Sequence, residues 1–331
     1  MKIYSLLIIA LIVSSAAFSQ EQKAKEFVIA YYNCDNMFDI NDDKGEYDDF
    51  FTATGKFNWG EQRYSNKLNA LRDVILGLSQ ESFPDMLVLS GIENKSVIDD
   101  LISDRKFRKS NYSILSVNST DFNSIYILVR ESVKEMNFKK MTFAENENIG
   151  KESVLYSLAK LNDGFNYHIF MNLWPSRPEG NEYDRIRCAV AVRKEIDNIL
   201  NFERDARIIV LGTFNDEPTN KSILSILNAS NKRKNIDYRD FYNPFYDLHN
   251  NSDSGTMVLN GALRMYDYIV VSPQLIRKNK GYSIMFNSGE IINNGSDQPL
   301  PTFRGDEYLG GASGHFPVII RLKSQSSGDE V

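Results

Sequence analysis

Long hydrophobic runs are scarce in this sequence. Beyond the N-terminal segment, no stretch approaches the roughly 20 apolar residues that a membrane-spanning helix needs, so no membrane span is expected. Repeats, low-complexity blocks and Pro- or Ser-rich linkers are also missing between residues 27 and 322. With ordinary globular composition, at 42% hydrophobic and 25% charged residues, these absences favour one domain over 27–322 and a polar tail over 323–331.

An excess of positive charge is missing too. The chain has 38 Lys and Arg against 44 Asp and Glu, a formal net charge of −6. No global attraction to nucleic acid or to anionic membranes is expected of such a chain. A local basic cleft would escape this argument, so nucleic acid stays open as a partner.

Cysteine is limited to Cys34 and Cys188. Both lie inside apolar-periodic segments, which favours two buried free thiols. A disulfide stays open, because an exported protein would permit one.

The N-terminus has the layout of a cleavable secretory signal. Lys2 is followed by the apolar run Leu6–Val13 and by small residues that end at Ser19. We expect cleavage between Ser19 and Gln20, a short linker over 20–26, and a secreted or periplasmic protein. The alternative is a membrane anchor, for which the apolar run is short.

Short apolar runs typical of strands recur along the chain and outnumber the helical patterns. The predicted strands are Phe27–Tyr32, Met86–Leu89, Tyr112–Leu115, Ile125–Val129, Tyr167–Met171, Ile208–Leu211, Tyr268–Val271 and Phe316–Ile320. The predicted helices carry the apolar sets Tyr64, Leu68, Leu71, Ile75, Leu78, then Ile186, Ala189, Val190, Ile196, Leu200, and a shorter set, Ile223, Leu224, Leu227, in a helix that starts near Thr219. The mostly consecutive strands favour antiparallel sheets covered by a few helices.

Six segments resemble, in the same order, motifs of the endonuclease/exonuclease/phosphatase family, particularly its exported bacterial branch. They are Tyr32–Asp39 (W-N-V-E-N-L-F-D), Ile92–Asn94 (the end of E-V-E-N), Asn172–Arg177 (N-H-W-P-S-R), Gly212–Asp216 (G-D-F-N-D), Asp267–Ser272 (D-Q-I-I-V-S) and Gly311–Val318 (G-x-S-D-H-F-P-V).

The resemblance implies a DNase I-like α/β fold, a four-layered sandwich of two mixed, mostly antiparallel sheets flanked by helices. It also implies phosphoester hydrolysis. In the family, Mg²⁺ or Mn²⁺ on carboxylates offsets charge on the phosphate, an Asp and an Asn activate water, and two imidazoles, one paired with an Asp, grip the phosphate or transfer protons. A phosphorylated small molecule or nucleic acid is the partner that this resemblance implies.

The sequence departs from the family at positions that carry this chemistry. Gly91 stands at the metal-binding Glu, Leu173 at the His of N-H-W-P-S-R, Thr213 at the first Asp of G-D-F-N-D, and Gly314 at the Asp of S-D-H. The R-G-I-D and T-R-D segments align with 121–124 and 151–153, without their Arg and Asp. No metal site and no cofactor are therefore expected.

Other residues survive at matching positions. The candidate catalytic remnants are His315 and Asn215, and the candidate ligand-binding residues are Asn33, Asn36, Arg177, Asn215 and His315. For the asparagines the alternative is a turn or cap, with the ligand role slightly favoured for Asn215.

The remaining survivors have structural alternatives. His315 either contacts phosphate or is kept by packing, since Gly314 cannot orient its ring. Arg177 is expected to brace a loop more than to face the cleft. Asp216 and Asp267 are expected to make local hydrogen bonds.

An acidic cluster follows the first motif. Its members are Asp42, Asp43, Glu46, Asp48 and Asp49. The spacing is not that of an EF-hand loop, so a solvated acidic loop is favoured over a Ca²⁺ site.

Three functions are compatible with this pattern. The first is a family member that has lost hydrolysis and binds a phosphorylated ligand or a partner. The second is a divergent metal-dependent endonuclease or phosphodiesterase. The third is an interaction module without a small-molecule site. The number of missing groups favours the first or the third, because each general acid–base group contributes about 10²–10⁴-fold.

Overall fold

The computed structural model describes residues 25–42, 48–78, 83–116, 124–141, 153–177, 181–251, 254–277 and 280–325. The expected signal peptide and the cleavage site lie outside these residues. The expected polar tail, 323–331, lies outside them from residue 326 onward, whereas 323–325 end a strand.

The described chain forms many strands and four helices. The strands are β1 (Glu26–Met37), β2 (Met86–Ile92), β3 (Ser113–Ser116), β4 (Ser124–Val129), β5 (Val133–Lys140), β6 (Ser153–Leu161), β7 (Asn166–Leu173), β8 (Ile208–Thr213), β9 (Ala229–Ser230), β10 (Phe241–Tyr242), β11 (Met257–Leu259), β12 (Ala262–Arg264), β13 (Asp267–Val271), β14 (Gly281–Ile284), β15 (Glu290–Ile291), β16 (Phe303–Arg304), β17 (Glu307–Tyr308) and β18 (Val318–Gln325). The α-helices are α1 (Glu61–Leu76), α2 (Lys95–Ser103), α3 (Glu182–Phe202) and α4 (Tyr246–Asn251).

Two large mixed sheets contain most of these strands. The first sheet has the order β14-β18-β1-β2-β4-β3, with β15 also paired to β18, and the second has the order β5-β6-β7-β8-β13-β10-β9. The pairs β1–β2, β7–β8 and β9–β10 are parallel, and the other pairs in these sheets are antiparallel. The expected α/β sandwich of mostly antiparallel sheets is confirmed.

Alternating residues of β1 show how the layers stack. Phe27, Ile29 and Tyr31 belong to the core between the sheets, whereas Ala30 and Tyr32 belong to the apolar layer under α1 and α2. This alternation follows from the period of two in a strand, which sends successive side chains to opposite faces. On the other side, α3 connects the parallel strands β7 and β8 and contributes its buried face to the core of the second sheet.

The phase of α3 differs from the prediction. The predicted apolar stripe includes Ile186 and Val190, but Val190 is 52% exposed and Arg185 is buried. Arg185 takes a core-facing position because its guanidinium binds the buried carboxylate of Asp216. A search for apolar periodicity has no means of placing a buried arginine. The third predicted helix is only a π-helical turn over Ser222–Ile226.

Two further expectations concern cysteine and membrane spans. Cys34 and Cys188 are both buried thiols that form no disulfide, as expected. None of the helices among the described residues combines the length and the apolar character that a membrane span requires.

Candidate functional site

The candidate site lies where strands of both sheets end together. Asn33 and Asp35 are near the end of β1, Thr213 ends β8, and Asp267 begins β13. Because β13 runs antiparallel to β8, Asp267 pairs in register with Thr213. His315 lies just before β18, and Ser313 Oγ ties this segment to β1 by donating to the carbonyl of Asn33, 2.7 Å away. Residues far apart in sequence therefore share one edge of the sandwich.

Thr213 is the centre of a chain of buried hydroxyl groups that joins the two sheets. Its Oγ1 donates to Asp267 Oδ1 at 2.5 Å and accepts from Asn33 Nδ2 at 3.0 Å. The Tyr31 hydroxyl lies 2.8 Å from Thr213 Oγ1 and 2.6 Å from Ser90 Oγ. Since the single Thr213 proton goes to Asp267, Tyr31 donates to Thr213 and accepts from Ser90. Burial raises the pKa of Tyr31 above its ordinary value, and the nearby Asp267 carboxylate raises it further.

Asp267 and His315 form a dyad. His315 Nδ1 lies 2.7 Å from Asp267 Oδ2, and both side chains are buried. Burial alone would lower the pKa of His315, but the charge and hydrogen bond of Asp267, with a further contribution from Asp35, raise it above its ordinary value. The Nδ1–H therefore points at Asp267 in either protonation state, and Nε2 is the nitrogen left for a ligand.

Two sequence expectations about this dyad are wrong. Asp267 does not make only local hydrogen bonds, because its partners Thr213 and His315 are 54 and 48 residues away. His315 is also not left without an orienting group by Gly314, since Asp267 holds the ring. The motif that begins at Asp267 was the sequence signal for this residue. A single sequence does not show that the Asp267 carboxylate faces the His315 ring.

The position of the family's metal-binding Glu cannot hold a side chain without strain. Gly91 has φ +67°, and a Cβ there would lie 3.0 Å from Asn33 Oδ1. Glu93 stands at the second Glu of the E-V-E-N motif. Its Oε2 accepts a hydrogen bond from the backbone N–H of Asp39 at 2.6 Å. Leu173, at the end of β7, is partly buried against the core.

Gly91, Thr213 and Gly314 do not supply the carboxylates of the family motifs, so these positions do not fit the metal that the family implies. Thr213 supplies a neutral oxygen whose proton is committed to Asp267, and Gly314 supplies no side chain. Both oxygens of Asp267 accept hydrogen bonds. Mg²⁺ in proteins prefers carboxylate oxygens. Among the described residues, no cluster of three His, Cys, Asp or Glu ligands forms in the cleft.

Asp35 is a cleft carboxylate that the sequence reasoning missed. It is half-buried, and its Oδ2 accepts from the backbone N–H of Gly314 at 3.0 Å. Its signal was its place in the first motif, where it matches the Glu of W-N-V-E-N. Beneath it, Lys67 Nζ donates to the carbonyl of Asp35 at 2.5 Å. Burial lowers the pKa of Lys67 to about 8, against the opposing effect of Asp35.

Arg177 braces the loop that follows β8, and this loop carries Asn215 two residues beyond Thr213. The Asn215 side chain donates to the carbonyl of Trp174 at 2.8 Å. Arg177 donates to the carbonyl of Asn215 and to Asp216 Oδ1, both at 3.1 Å. These contacts are those of a residue that braces the loop, as expected for Arg177. Its side chain is nevertheless 35% exposed. Asn36 is exposed, and Lys67 Nζ contacts its carbonyl at 3.2 Å.

The acidic cluster is only partly solvated. Asp42 and Asp49 are exposed, but Asp48 is buried, and one carboxylate oxygen from each of the three lies within 4.8 Å of the others. Asp43 and Glu46 lie outside the described residues, as do 121–123 and 151–152 of the two weaker alignments.

The comparisons with known proteins agree with this fold. Residues 28–324 match the profile of the endonuclease/exonuclease/phosphatase family. The chain belongs to this family. No curated protein sequence matches the chain.

Three solved structures illustrate the likeness in fold. An endonuclease/exonuclease/phosphatase family protein from Bacteroides thetaiotaomicron is 13% identical, with a TM-score of 0.57 over 92% of this chain and 100% of that one. D. rerio TDP2 complexed with a single-strand DNA product is 12% identical, with a TM-score of 0.56 over 90% and 98%. A mannosyl-6-phosphatase from B. thetaiotaomicron VPI-5482 is 14% identical, with a TM-score of 0.52 over 89% and 99%. At these identities the likeness concerns the fold alone.

Proposed function

We propose that this protein binds a phosphorylated ligand in the family's cleft without hydrolysing it through a metal. The observation that carries this proposal is that the site has lost one set of the family's groups and kept another. The groups that would hold metal and activate water are replaced at Gly91, Thr213 and Gly314, whereas the His315–Asp267 dyad is intact at 2.7 Å.

Loss of hydrolysis follows from the chemistry of the missing groups. Attack on a phosphoester needs a cation to offset charge in the transition state and a base to activate water. Thr213 is a neutral hydroxyl whose proton is already donated to Asp267, so it cannot act as that base. General acid–base groups contribute about 10²–10⁴-fold each, and several are absent together.

Binding is a separate property that the remaining groups support. With Nδ1 held by Asp267, a protonated His315 presents Nε2–H as a charged donor to a phosphate oxygen. Arg177 and Arg185 share the single carboxylate of Asp216, which leaves net positive charge beside Asn215. These donors do not depend on a bound metal.

The first test is hydrolysis. With Mg²⁺ or Mn²⁺ at neutral pH, we expect no turnover of a generic phosphodiester or of DNA above a blank without protein. His315→Ala serves as the matched variant and should be indistinguishable from the parent chain. Turnover at ordinary enzyme rates of about 1–10³ s⁻¹ that disappears in His315→Ala would show a divergent hydrolase instead. The intact dyad is a feature that favours that alternative.

The second test is binding measured by isothermal titration with phosphorylated compounds. Affinity should be the same with and without EDTA, and it should weaken as pH rises through the raised pKa of His315, because the imidazolium is the charged donor. Binding that appears only with Mg²⁺ would contradict the proposal. A complete lack of binding would favour an interaction module.

We further propose that the protein is exported and that its mature form begins at Gln20. The layout from Lys2 to Ser19 supports this. Mass spectrometry of the cell envelope and the medium should find the mature N-terminus. An intact Met1 on protein confined to the cytosol would refute export.

A further inference from the structure

Asp35 lies in an irregular part of β1, where the register against β2 shifts between Asn33 and Met37. Asp35 and Asn36 have φ values of 51° and 57°, in the left-handed region that residues other than glycine rarely adopt. The buried Lys67 donates to the carbonyls of both residues, at 2.5 and 3.2 Å. Asn33 Oδ1 also accepts from the backbone N–H of Asp35 at 2.9 Å. Three hydrogen bonds from two side chains, Lys67 and Asn33, therefore hold the backbone that carries the Asp35 carboxylate.

The carboxylate points at the segment that carries His315. Its Oδ2 accepts from Gly314 N at 3.0 Å, and a Cβ placed on Gly314 would lie 3.1 Å from the same oxygen. Asp35 thus occupies the space beside the residue that precedes His315. The chain supplies a carboxylate here from β1, where the family motif supplies one from position 314.

One oxygen of Asp35 remains for a ligand. The described residues give Oδ1 no hydrogen bond, and the side chain is half-buried at the cleft. A bare phosphate bound at His315 would bring negative charge close to this oxygen, which is unfavourable. A hydroxyl or ammonium group beside the phosphate would instead donate to it, and hydrogen bonds to a charged acceptor are the strong ones.

We propose that Asp35 makes the cleft selective for a phosphomonoester whose organic part carries a hydroxyl or ammonium donor next to the phosphate. This inference rests on the proposed binding function. His315 receives the phosphate, and Asp35 receives the donor. The ligand must satisfy both ends, so inorganic phosphate and simple alkyl phosphates bind poorly.

The experiment compares two ligands that differ in hydroxyl groups. Glycerol 3-phosphate and propyl phosphate are titrated calorimetrically into the mature protein in EDTA. We expect glycerol 3-phosphate to bind about tenfold more tightly or better, the factor that a hydrogen bond to a charged group provides. Asp35→Asn keeps the size of the side chain and removes its charge, so it should bind propyl phosphate and inorganic phosphate more tightly and discriminate less between the two esters.

The control is Asp205→Asn. Asp205 is an exposed carboxylate with 69% of its side chain accessible, so this variant makes the same charge change without touching the cleft and should keep the parent's discrimination. Because the comparison of the two esters needs only the parent chain, it remains decisive even if Asp35→Asn fails to fold.

The outcomes separate this inference from the function beneath it. Equal affinities of the parent for the two esters would overturn the role of Asp35 while leaving phosphate binding intact. No binding of any phosphate by the parent or by Asp35→Asn would overturn the proposed function, and the inference with it. If binding required Mg²⁺ and Asp35→Asn abolished it, Asp35 would be a metal ligand and the inference would be wrong.

Discussion

Replacing Asp216 with alanine is expected to lower the free energy of unfolding by about 3–5 kcal/mol, the usual cost of removing one partner of a buried ion pair. Asp216 is buried, and its Oδ1 accepts from Arg185 at 2.8 Å and from Arg177 at 3.1 Å. Its Oδ2 accepts from Ser222 Oγ at 2.7 Å. Alanine removes the carboxylate but leaves the guanidinium of Arg185 in the core.

Urea unfolding at neutral pH measures this loss. The matched control is Asp205→Ala, which breaks an ion pair with Arg277 at 3.4 Å whose side chains are 69% and 44% exposed. Exposed pairs of this kind contribute about 0–1 kcal/mol. If the two variants lost similar stability, the Asp216 cluster would not be the brace between α3 and the loop after β8 that its contacts indicate.

The second large effect is expected from Asp267→Asn. Asp267 is fully buried and holds both Thr213 and the His315 ring. Asparagine keeps the shape but removes the charge that faces the imidazolium. At pH 6 we expect the free energy of unfolding to fall by about 3–5 kcal/mol, since one partner of a buried pair is neutralised.

The pH dependence of this loss is the sharper signature. The folded pKa of His315 is raised above its unfolded value, so the stability from protonating it is fully present below about pH 6.5 and is lost as pH rises through the folded pKa. The difference between the parent chain and Asp267→Asn should therefore shrink from pH 6 to pH 9. Equal losses at both pH values would show that the dyad is not charged in the folded state.

Ring NMR signals offer a direct check. The chain has only three histidines, so His315 can be assigned by comparison with His315→Gln. Its titration midpoint should lie above the ordinary value for histidine in the parent and should fall in Asp267→Asn.

The strands were the part of the fold that local pattern predicted best. Runs such as Met86–Leu89 and Ile208–Leu211 lie in strands buried on both faces, and such strands are continuous apolar segments. The buried face of α3 could not be predicted from apolar periodicity, because Arg185 occupies a buried position that its partner Asp216 stabilises. The pairing of that arginine is a tertiary fact, and periodicity of apolar residues carries no information about it.

For the candidate site, too, residue identities could be predicted from the sequence and contacts could not. The motif order identified the family and the substitutions at Gly91, Leu173, Thr213 and Gly314, because these depend only on which residue stands at which place in the chain. Whether the surviving polar groups meet depends on geometry.

By itself, then, the sequence determined the family, the sandwich fold and the absence of most family carboxylates. Only the tertiary structure decided that His315 keeps an aspartate partner and that Asp35 reaches the backbone of Gly314, 279 residues away. The physical reason is that side chains at the ends of β1, β8 and β13 are brought together by strand pairing and by the packing of one sheet on the other. Contacts of that kind are set by strand register and strand order, which no single stretch of sequence contains.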